Sequence, residues 1–60
     1  MSGLSLTDLE RTYDLLAEAI DRAGEDRSEL LLTKLALLLA QEVGDSQRVA
    51  ALVEVALADL

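Results

Sequence analysis

Sixty residues allow one domain at most, and 52% of them are apolar while 28% carry charge. Cysteine, histidine and proline are all absent, which removes disulfides and both Cys–His and Ser–His–Asp catalysis, and leaves no ordinary ligand set for zinc. A net charge of -7 opposes binding to nucleic acid phosphates or to anionic membrane surfaces.

The first helix is expected to start between Ser5 and Thr7. Thr7-Asp8-Leu9-Glu10 fits a capping box, while Ser5 with Asp8 is a competing cap that adds a Leu4–Leu9 staple. Leu9, Tyr13, Leu16, Ile20 and Ala23 recur at three- and four-residue steps and form one apolar stripe. Glu10, Asp14, Glu18 and Asp21 line the other side. Gly24 is placed to end the helix in a left-handed conformation. Tyr13 is expected in the core with its hydroxyl at the edge.

"GEDRSE" follows as a turn, with Asp26 or Ser28 expected to cap the second helix. In that helix Leu31, Leu32, Leu35, Ala36, Leu38, Leu39, Ala40 and Val43 cover roughly 200° of the circumference. A surface helix needs an apolar arc only a little over ~100° wide. Leu30 and Leu37 fall outside even the wide arc, seven residues apart, beside Thr33, Lys34 and Gln41. Three short helices cannot bury such an element without help. Gly44 ends it and Asp45 caps the third helix. There Val49, Val53, Ala56, Leu57 and Leu60 form the main stripe and Val55 lies opposite, near Arg48 and Asp59.

The expected fold is therefore all-α: three short helices at about 7–23, 28–43 and 46–59 in a single small domain spanning 1–60, with residues 1–5 flexible. A chain this short buries only about 60% of its unfolded surface, so small folds lean on disulfides, metals or oligomerisation. With the first two excluded, the helical bundle is expected to be completed by homo-oligomerisation, a dimer being the commonest closed form. The expected interface is Leu30, Lys34, Leu37 and Gln41 with Val55, the Lys34 stem packing on leucine while its ammonium reaches water or a carboxylate.

Candidate chemistry is sparse. The three glycines are isolated at positions 3, 24 and 44, so no phosphate-cradling loop exists. The Glu10/Asp14/Glu18/Asp21 column reads as a solvated face rather than a cation site, since no second ligand cluster accompanies it. Gly44-Asp45-Ser46 is superficially similar to the modified serine of acyl carrier proteins, but Gln47 stands where leucine is usual, and Asp45 reads better as a helix cap. The expectation is a non-enzyme without cofactor or metal. "MSGLSL" has no basic region, so no secretion signal is expected. The longest apolar stretch, Leu30 to Ala40, spans only ~16 Å as a helix against ~30 Å of hydrocarbon, so the expected location is the cytoplasm.

"YDLLAEAI" followed by "DRSELLLTKLALLLAQEVGD" resembles a family of very short bacterial proteins known as a domain of unknown function. The resemblance runs from about Leu9 to Leu57 and is densest at Leu35 to Ala40 with Gly44-Asp45. It carries no catalytic or binding residues. Members of that family often lie near flavin-dependent hydroxylases and other oxidoreductases of aromatic breakdown, which implies an accessory role beside a larger enzyme. From the residues themselves, the expected function is a helical protein–protein interaction module that associates with itself.

Overall fold

The computed structural model describes residues 3–60, which form three α-helices joined by two short turns. Helix α1 spans Leu6–Ala23, α2 Ser28–Val43 and α3 Ser46–Ala58, with 18, 16 and 13 residues. No strand occurs among the described residues. Residues 1 and 2, part of the segment expected to be flexible, lie outside the described residues.

Each boundary has a local cause. Ser5 Oγ accepts from the Asp8 N–H at 3.1 Å, so of the two competing caps Ser5 and not Thr7 is used, and α1 begins at Leu6, within the expected range from Ser5 to Thr7. Thr12 and Thr33 sit inside helices because each hydroxyl donates to the carbonyl four residues back, Asp8 at 2.8 Å and Glu29 at 2.9 Å. At the start of α3 the Asp45 carboxylate accepts from the N–H groups of Gln47 and Arg48 at 3.0 and 3.4 Å, the cap expected of it. Helix α3 ends at Ala58, one residue short of its expected end.

The turns differ. Gly44 takes the left-handed helical conformation, φ 75° and ψ 15°, and its N–H donates to the Ala40 carbonyl at 3.0 Å. Gly24 also has positive φ, 86°, but ψ is 163°, an extended mirror conformation open essentially to glycine alone rather than the expected left-handed stop. That geometry lets the Arg27 N–H reach the Gly24 carbonyl at 3.1 Å, leaving Arg27 at the cap of α2 without any side-chain cap. Asp26 and Ser28 do not cap α2. Instead the Ser28 hydroxyl donates backward to the Glu25 carbonyl at 3.4 Å and closes the turn.

Helix α2 is central. It meets α1 on one side and α3 on another, and α1 and α3 do not touch among the described residues. Nearly all interhelical approach lies beside the turns, so the helices splay apart along their lengths. Half-buried positions mark the contacts: Thr12, Leu16, Ala19 and Ala23 on α1, Leu31 and Leu35 on α2, then Ala40 on α2 and Val49 on α3. The covered face of α1 is thus rotated by about 50° from the expected stripe, at 100° per residue. The small side chains of Ala19 and Ala23 face α2 beside the turn, which turns the bulkier Leu9 and Tyr13 outward. Tyr13, expected in the core, is 72% exposed.

No described residue is buried. The chain exposes 5581 Å² of accessible surface, against about 3,800 Å² for a compact monomer of 6.5 kDa. The excess is about 1,800 Å², and the outward residues include large aliphatics from all three helices. No described helix is long and apolar enough to cross a membrane.

Candidate functional site

Helix α2 carries most of what this chain offers another molecule. Going round its axis in 100° steps, α1 covers the arc holding Ser28, Leu31 and Leu35, and α3 covers the arc at Ala40. Two arcs are left open between these contacts.

The first holds the expected interface. Leu30, Lys34, Leu37 and Gln41 fall within about 60° of one another, because steps of four, three and four residues return to nearly the same direction. All four are exposed, Leu37 by 64%. The strip runs between the two turns of the molecule. At one end Leu30 and Lys34 line a shallow depression of about 180 Å³ with Ala23, Arg27 and Leu31. At the other, Leu37 and Gln41 line a wider cleft of about 450 Å³ whose far wall is Asp45, Ser46 and Val49 of the α2–α3 junction. The strip therefore offers two leucines that line hollows, with the Lys34 cation between them and the Gln41 amide beyond Leu37. Val55 is exposed but does not join this cleft; Val49 is the valine of α3 that does.

The second arc went unmarked in the sequence because it sat inside the broad face assigned to the core. It contains Leu32, Ala36, Leu39 and Val43, again at steps of four, three and four. All are exposed, Leu32 by 43%, Leu39 by 55% and Val43 by 42%. Unlike the first arc it holds no polar side chain. The arc lies between the faces taken by α1 and α3, which is why neither helix covers it.

The first arc holds Lys34 as its single titratable side chain, and the second holds none. The α1 carboxylates Glu10, Asp14, Glu18 and Asp21 lie exposed on that helix, and no group of three or more Asp, Glu, His or Cys suited to a metal ion occurs among the described residues. Ser46 is taken up in the α3 start, directly after the Asp45 cap. What the arrangement can do is pack apolar helix surface against apolar helix surface. No family model, curated protein or solved structure matches this chain.

Proposed function

We propose that this chain is a non-catalytic protein–protein interaction module that associates with copies of itself through α2. The observation that carries the reading is the surface excess: about 1,800 Å² beyond a compact fold of this mass, with no described residue buried. A standard interface takes about 800 Å² from each partner, so the excess suits two contact faces per chain rather than one. The Leu30–Leu37 strip, with Lys34 and Gln41 at its polar margin, serves as one of these faces, and Val55 joins it across α3 of a neighbouring copy. Exposed apolar surface on this scale marks interaction sites in soluble proteins.

Light scattering across a hundredfold dilution tests the proposal. A stable multiple of 6.5 kDa is expected. A well-folded monomer overturns self-association, and the same faces then belong to a different protein. The accessory role implied by the family resemblance, in which a larger oxidoreductase covers these faces, has its own signature: a chain that is molten alone and gains helix only when its enzyme is added.

A further inference from the structure

We infer that the Leu32, Ala36, Leu39 and Val43 arc is the primary self-contact, and that a second copy lays its own α2 across it antiparallel, about a twofold axis passing between Leu37 and Leu38. This rests on the self-association proposed above and adds its register and direction.

Four observations support it. The 4-3-4 spacing is that of alternating a and d positions in a coiled coil, the spacing that lets two helices interlock along one seam. The seam has no polar member, whereas the Leu30–Leu37 strip includes Lys34 and Gln41, which need water or partners. The third observation is shape. In the antiparallel register Leu32 faces Val43 of the second copy and Ala36 faces Leu39, so each small side chain receives a large one, as interdigitated cores require. A parallel pair would set Ala36 against Ala36 and leave a gap between two leucine layers. It would also place both Glu29 side chains at the same end and align both helix dipoles, which the antiparallel pair avoids. The chain has surface to spare for a second copy: its excess of roughly 1,800 Å² over a compact fold exceeds the about 800 Å² that a standard interface removes from each partner.

Because the chain lacks cysteine, single introduced thiols report the geometry without interference. Leu32→Cys and Val43→Cys are refolded together under reductant and then oxidised. A disulfide-linked hetero-pair is expected, with at least tenfold less cross-linking when either variant is oxidised alone, since identical positions then lie about 16 Å apart along the axis. The Ala36→Cys and Leu39→Cys pair repeats the test nearer the twofold, should the outer pair fold poorly. Self-linking of Leu32→Cys alone would make the pair parallel and overturn the register. A multimeric parent that yields neither hetero-pair overturns the seam but leaves self-association standing, while a monomeric parent removes both.

Discussion

Helices α1 and α2 are similar in length and both rich in leucine and alanine, yet they stand in opposite relations to solvent. Helix α1 is two-sided: Glu10, Asp14, Glu18 and Asp21 share one face, and the covered residues Leu16, Ala19 and Ala23 lie on another. One neighbour covers part of that apolar side, while Leu6, Leu9, Tyr13 and Leu15 stay exposed. Helix α2 has only Glu29, Lys34 and Glu42 as charged residues, and they are scattered around its axis. Two neighbours from its own chain still leave two apolar arcs bare. The contrast teaches that amphipathicity counts the neighbours a helix needs: a one-sided helix calls for contact along one face, and an all-round helix calls for contact on several.

The comparison breaks most sharply at the seam. Leu39→Glu puts a charge in the middle of the all-apolar arc, and the expected result is loss of every assembled form, with either a monomer or an unfolded chain seen by light scattering and circular dichroism. Leu37→Glu charges the mixed arc instead. There the expected product is a smaller assembly that keeps the α2–α2 pair, no less than twice the chain mass. If both variants lowered the mass equally, the two arcs would not be distinct faces.

Smaller effects come from the turns. Gly24→Ala forces an alanine into a conformation that only glycine adopts freely and brings a Cβ within 3.4 Å of the Asp26 carboxylate. A loss of about 1–3 kcal/mol is expected in denaturant unfolding of the assembled protein. At the other turn Asp45→Ala removes the acceptor for the Gln47 and Arg48 N–H groups, with an expected cost of about 1 kcal/mol by the same measurement. A larger penalty for Asp45→Ala than for Gly24→Ala would mean that the capped junction, rather than the uncapped one, limits the stability of the assembly.

The helices were legible because punctuation and periodicity agree. Asp45 after Gly44 marks a stop and a start in two residues, and the apolar steps in α1 repeat without interruption. The first turn, between α1 and α2, was harder to read. Asp26 and Ser28 are both good caps by residue type, but the Gly24 conformation sends the chain through a backbone-bonded turn that leaves Arg27 at the boundary. The covered face of α1 lies about 50° from the expected stripe, because the stripe follows hydrophobicity while the contact follows the small residues beside the turn. The same cause hid the second arc of α2. Sequence periodicity shows which residues are apolar around an axis, but which of them a neighbour covers depends on how far the helices diverge, and here α1 and α3 leave the turns and separate.

The splayed arrangement also shapes the folding kinetics. Contacts within the chain are almost all local, and helix formation with hairpin closure at that range is a microsecond event. Little remains for a single chain to search for. For the pair proposed above the slow step is the collision of two chains, so its refolding is expected to follow second-order kinetics, with a half-time that lengthens in proportion as the protein is diluted.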